Sequence, residues 1–117
     1  MPPSQKARGL KKVLDLLDDA IALVRKALVN NPGDAERRAL ERILLRLEAE
    51  RGVYQAEFNA ELAKETNVQG PTPAQVKEVS TLSNKVAQAA QGAIVAGNAI
   101  VLAGKVFDLA TSIVAPA

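Results

Sequence analysis

The segment that decides the fold covers residues 86–114 and reads VAQAAQGAIVAGNAIVLAGKVFDLATSIV. It carries one base, Lys105, and one acid, Asp108, and the rest is mainly Ala, Gly, Val, Ile and Leu. The apolar residues recur at helical spacing, and no proline interrupts them. A helix that is apolar on more than one side has to be covered by protein on those sides or lie in lipid. The segment therefore predicts a helix that needs cover on two sides.

At 100° per residue this predicted helix has two apolar faces. The first face starts upstream of the segment and comprises Val79, Leu82, Val86, Ala89, Ala90, Ala93, Gly97, Ile100, Gly104, Phe107, Thr111 and Val114. The second face, on nearly the opposite side, comprises Val95, Leu102, Val106, Leu109 and Ile113. Its spacings follow a heptad, which is typical of a seam between helices. The small residues of the first face predict a close helix approach at Ala89, Ala93, Gly97 and Gly104.

Two further helices are predicted upstream, so that the three cover about 6–29, 35–66 and 73–115. In the first helix a core row and a flanking row together predict packing on two neighbours. The core row is Leu10, Leu14, Leu17, Ile21, Val24 and Leu28. The flanking row is Val13, Leu16, Ala20, Leu23 and Ala27. Pro32 and Gly33 separate the first two helices, and Asp34 is the predicted N-cap of the second. Thr72 is the predicted cap of the third helix, followed by Pro73 at its first position.

The fold class predicted from these patterns is all-α, with residues 1–117 forming a single domain of three long antiparallel helices in a coiled-coil-like bundle. The lengths are roughly 36, 48 and 60 Å at 1.5 Å per residue. Two shorter helices cannot cover an extended, mostly apolar C-terminal helix along its whole length. An uncovered apolar patch of this kind marks an interface.

The leading functional hypothesis is therefore a non-enzymatic protein that self-assembles through the second face of its C-terminal helix. The predicted interface consists of Val95, Asn98, Leu102, Val106, Phe107, Leu109 and Ile113. Asn98 lies near the seam, where a buried polar residue can fix the register of a coiled coil. The partner is a second copy of this chain or another helical protein, and the sequence does not set the copy number.

Two alternatives use the same segment. In the first, the chain is a membrane-active protein that inserts residues 86–115 as an oligomeric pore. Lys105 and Asp108 are costly in a single span, so this hypothesis requires Asn98, Lys105 and Asp108 to face a lumen. In the second, the chain is an adaptor that presents the face to a different helical partner.

An enzyme is the class that the composition supports least. The chain has no Cys and no His, which removes the commonest nucleophile–base pairs and metal ligands. Glu50, Glu57 and Glu61 lie along one side of the second helix, but the metal motif of helical bundles also needs histidine. These carboxylates are predicted to be surface charges and Tyr54 a core residue, and no cofactor or metal is expected.

The charge pattern argues against nucleic acid as a partner. The formal net charge is +2, and glutamates interleave with the row of Arg38, Arg42 and Arg46. The first residues lack the apolar stretch of a signal peptide, so a cytoplasmic location is expected, with membrane association as the alternative.

Overall fold

The computed structural model describes residues 4–30, 32–63 and 70–114, and these residues form four helices. They are α1 (Gln5–Val29), α2 (Asp34–Leu62), α3 (Pro73–Ala89) and α4 (Ala96–Val114). The all-α class is confirmed, whereas the number of helices is four and not three. The predicted ends of the second and third helices, at residues 66 and 115, lie outside the described residues.

Local sequence signals account for most helix starts. The Ser4 hydroxyl caps α1 by accepting a hydrogen bond from the Ala7 N–H. Thr72 caps α3 in a capping box with Gln75, and Pro73 occupies the first turn, as predicted. The N-cap of α2 is Gly33 and not Asp34, which lies one residue inside the helix and adds a favourable negative charge to its first turn.

The predicted third helix is broken between Ala89 and Ala96. Gly92 has φ +69°, in the left-handed region that glycine enters without a steric penalty. The turn sends α4 back along α3. The break occurs because it lets the apolar side of α4 pack on the rest of the chain, where a straight helix would leave that side in water.

The four helices run alternately up and down. Ion pairs Arg51–Asp18 and Arg25–Glu48 connect α2 to α1 in antiparallel order, and the Tyr54 hydroxyl bonds the Ala110 carbonyl of α4. Helices α1 and α4 each contact all three others, whereas α2 and α3 do not touch within the described residues. The bundle, 46 × 24 × 22 Å, thus has α1 and α4 as its central pair.

Helix α1 contributes more residues to the core than any other helix described here. Both rows predicted for it are buried, apart from Leu28, which is half-buried at the C-terminal end. This confirms that α1 packs on more than one neighbour. The remaining core comes from Leu40, Ile43, Leu47 and Tyr54 of α2, Val79, Leu82 and Val86 of α3, and Ala99, Leu102, Ala103, Val106, Leu109, Ala110 and Ile113 of α4.

Candidate functional site

The second face of the predicted long helix is the core-facing side of α4. Leu102, Leu109 and Ile113 are each at most 7% exposed, and Val106 is completely buried. Helices α1, α2 and α3 of the same chain supply the cover. The expectation that this face is left uncovered by its own chain is wrong, because the turn at Gly92 brings it inside.

The other three residues of the predicted interface have different environments. Val95 is 66% exposed in the link before α4, and Asn98 is exposed in the first turn of that helix. Phe107 is half-buried against the core. Only Val95 and Asn98 of that set are therefore exposed on the surface of the folded chain.

The four small residues do not mark close helix packing. Ala93 and Gly97 are exposed, Ala89 is half-buried, and a Cβ atom added at Gly97 or Gly104 would meet no other atom within 4 Å. The close approach occurs instead at Gly9, where an added Cβ would lie 2.7 Å from the Pro71 ring. Because the helix breaks between Ala89 and Ala96, Ala93 and Gly97 lie on the surface around the break, whereas Ala89 packs against the core at the end of α3.

Apolar side chains gather at the end of the bundle where α1 ends and α3 joins α4, which we call the junction end. Val29 is 79% exposed there, and together with half-buried Ile94 it lines a groove of about 360 Å³. Lys26, Asn30, Ala90 and Gly92 complete the lining. Val95 directly follows Ile94 in the chain. Exposed apolar residues that cluster in this way are a feature of interaction surfaces.

The junction end carries both signs of charge. Lys26 belongs to the groove itself, and Asp34 and Glu36 form the first turn of α2, a few residues beyond the end of α1. A surface that holds a cation and an anion can complement a second copy of itself across a two-fold axis. This surface was not among those predicted from the sequence, although Val29 is an apolar residue outside both core rows of its helix.

A second groove, of about 630 Å³, lies between α3 and α4. It is lined by Lys77, Glu78, Thr81, Leu82, Lys105, Asp108, Leu109 and Ser112. Leu82 and Leu109 belong to the core, and each helix contributes one base and one acid to the groove. The two hydroxyl groups of the lining, on Thr81 and Ser112, donate hydrogen bonds to the backbone carbonyls of Lys77 and Leu109.

The Tyr54 side chain, with its hydroxyl, is buried inside the bundle. The Tyr54 hydroxyl donates a hydrogen bond of 2.7 Å to the Ala110 carbonyl, and burial, helped by the charge of Glu50, raises the pKa of the phenol well above 10.0. Tyr54 thus has the core position that was predicted for it. Its hydroxyl is satisfied and its proton is held tightly, which suits a structural role.

Glu61 corrects the prediction of a row of surface carboxylates. It is only 8% exposed, accepts a hydrogen bond of 2.9 Å from the Ser4 hydroxyl, and lies 3.4 Å from the Lys6 ammonium. Partial burial raises the pKa of Glu50. No group of three or more acidic side chains in the described ranges is arranged to hold a metal ion. The buried carboxylate connects the start of α1 to the end of α2.

Within the described part of the chain, one helical segment, Ala96–Ile113, is long and apolar enough to cross a membrane. The core helix of a globular domain meets the same criterion, and more than a third of this segment is buried in the bundle. Length and composition alone do not separate these two roles.

No protein family, curated protein or solved structure matches this chain.

Proposed function

We propose that this chain is a non-enzymatic helical module that pairs end to end with a second copy of itself through the junction end. The observation that carries the proposal is the exposure of Val29 and Val95 at the end where half-buried Ile94 lines the groove. Covering these side chains removes apolar surface from water, which favours association. The proposal keeps the self-association expected from the sequence but moves it to a different surface.

A second copy is the occupant that the charges favour. In a two-fold arrangement, Lys26 of one copy can approach Asp34 or Glu36 of the other, and the apolar side chains meet at the centre. The groove lining contains three apolar side chains besides Gly92, namely Val29, Ala90 and Ile94. That patch is smaller than the roughly 800 Å² per partner of a standard stable interface. The pairing is therefore expected to be weak and reversible, and the fraction of paired chains should rise with protein concentration.

The membrane hypothesis is the second candidate, because α4 meets the length and composition criterion for a span. Insertion would first have to release Leu102, Val106 and Leu109 from the core, at a cost of about 2 kcal/mol for each side chain. It would also require an oligomer in which Asn98, Lys105 and Asp108 face the lumen. The geometry supports end-to-end pairing better, because Val29 and Val95 are exposed without any rearrangement.

Val95→Asp is expected to weaken self-association by roughly a hundred-fold, because a two-fold contact brings two unpaired carboxylates into the apolar patch. Val95 immediately precedes α4, where aspartate is a preferred N-cap, so the thermal midpoint should stay the same or rise. Sedimentation equilibrium over a concentration series measures the association, and circular dichroism follows the fold.

The matched control is Val53→Asp, which replaces an exposed valine in the middle of α2, away from the junction end. It should pair as the unchanged protein does. A wild-type chain that stays monomeric at the highest attainable concentration would overturn the proposal, as would equal weakening by both substitutions.

A further inference from the structure

We infer that α4 can be exchanged between two copies of this chain, with the turn at Gly92 opening so that α3 and α4 become one continuous helix. This inference deepens the proposed function and rests on it for the meeting of two copies at the junction end. Its own evidence is the sequence of the link and the set of contacts that α4 makes.

The link between α3 and α4 contains a single residue that commonly ends a helix. Residues 90–95 read AQGAIV, with no proline, and Gly92 is the member of this link that is favoured just past a helix C-terminus. Gly92 adopts a left-handed conformation, at φ +69°. The helical phase of the first apolar face runs from Val86 through Ala93 to Ile100 across this glycine. The observed turn therefore depends on Gly92, and the link can become helical if that residue leaves the left-handed region.

The contacts of α4 can be reproduced by a second copy. Val106 and Ile113 pack into a core made by the other three helices, and Ala110 accepts the Tyr54 hydrogen bond. If two copies exchange α4, each bundle receives the same side chains in the same places. The closed monomer and the exchanged dimer then differ mainly in the conformation of the link and in the entropy of association.

Geometry allows the exchange. With the link helical, residues 90–114 extend about 37 Å beyond α3, comparable to the 46 Å length of the bundle. In its own bundle α4 runs from the junction end towards the opposite end. A helix entering a second bundle placed end to end also starts from that bundle's junction end, so its direction is the native one. The exposed Val29 side chains of both copies then lie at the junction between the bundles.

Gly92→Ala tests the inference. Alanine disfavours the left-handed turn and favours a continuous helix, so the equilibrium constant for the exchanged dimer should rise by roughly a thousand-fold. Gly104→Ala is the matched control, because it lies inside α4, where an added Cβ meets nothing within 4 Å and α4 is helical in both forms. Size-exclusion chromatography with light scattering should find a dimer that persists on dilution for Gly92→Ala alone.

An isotope-filtered nuclear Overhauser experiment on a mixed dimer of labelled and unlabelled Gly92→Ala chains identifies which copy supplies α4. Exchange predicts contacts between Tyr54 of one copy and Ala110 of the other. A Gly92→Ala chain that stays monomeric overturns the exchange, as does a dimer in which this contact is only within one chain. If Gly92→Ala precipitates, the same experiment is run on wild-type protein refolded at high concentration, and absence of the contact between copies overturns the exchange.

The two proposals fail differently. Unchanged pairing in Val95→Asp would overturn the docked surface and leave the exchange to be judged by the contact between Tyr54 and Ala110. A wild-type chain that never pairs, together with an exchanged Gly92→Ala dimer, would remove the docking proposal and keep the exchange.

Discussion

Replacing Val106 with aspartate is expected to unfold the domain at neutral pH. Val106 is completely buried on α4 among side chains of the other helices. The substitution removes a buried apolar side chain, which loses the free energy of its burial. It also forces the new carboxyl group either to ionise in the core or to stay protonated at a pH far above its normal pKa. The expected loss of about 5 kcal/mol is comparable with the whole free energy of unfolding of a small domain. Circular dichroism without denaturant measures the loss of helical content, and urea denaturation measures the stability of the unchanged protein.

Val101→Asp is the matched control, because it makes the same substitution on the same helix at a residue that is 54% exposed. Its effect should be within about 0.5 kcal/mol. The contradicting outcome is a Val106→Asp protein that keeps its helical content and its denaturation midpoint while losing a larger assembly. That result would mean that the side of α4 carrying Val106 lies between copies, as the sequence pattern suggested.

Tyr54→Ala is expected to destabilise the domain by about 3–5 kcal/mol. Tyr54 is among the largest fully buried side chains, and its ring fills space between α2 and α4. The truncation leaves a cavity and removes the hydrogen bond to the Ala110 carbonyl. Val53→Ala, at the exposed neighbouring position, should cost less than about 1 kcal/mol. Equal losses at both positions in urea denaturation would contradict the buried placement of the ring.

Tyr54→Phe separates the hydroxyl from the ring and should cost only about 1 kcal/mol near neutral pH. Burial, and then the charge of Glu50, raises the pKa of the native phenol above its ordinary value of 10.0. The unfolded chain therefore binds fewer protons than the native chain above that pH, and the free energy of unfolding falls as the pH rises through it. The phenylalanine variant should lack this part of the alkaline destabilisation.

The amphipathic pattern of α1 was sufficient to predict its structure. Its rows through Leu10 and Val13 are continuous over the whole helix, and both are buried. Periodicity identifies such an element because every residue of a row has the same kind of environment. The cap formed by Thr72 with Pro73 could also be predicted from the sequence, because it depends on residues that are neighbours in the chain.

The break at Gly92 could not be predicted from the local helix propensity of the sequence. Residues 86–100 contain no proline, and Gly92 and Gly97 each cost a continuous helix only about 1 kcal/mol relative to alanine. Burying Leu102, Leu109 and Ile113 against the chain's own core stabilises the closed form by about 2 kcal/mol for each side chain. Tertiary burial therefore outweighs the helical preference of a short link, and only the packed structure contains that term.

The same break explains why the predicted environments of two candidate residues on α4 were wrong. The side of α4 that carries Val106 became the core, and Gly97 became part of the surface. The burial of Glu61 could not be predicted from the sequence, because its partners, Ser4 and Lys6, are far away in the chain. Val29 gave a usable signal, whereas its proximity to Ile94 follows only from the return of α4 at the junction end.

The central claim is that α4 folds back beside α3 within one chain, and a distance between two spin labels tests it most directly. The chain has no native cysteine, so Lys77→Cys and Ser112→Cys give two unique labelling sites, and both residues line the groove between α3 and α4. Pulsed dipolar spectroscopy at low concentration measures the distance between the two labels. If α4 folds back beside α3, that distance is well below half the length of a straight helix between these residues. A main distance near that length, about 53 Å, would show that α3 and α4 form one continuous helix in the single chain and would contradict the account.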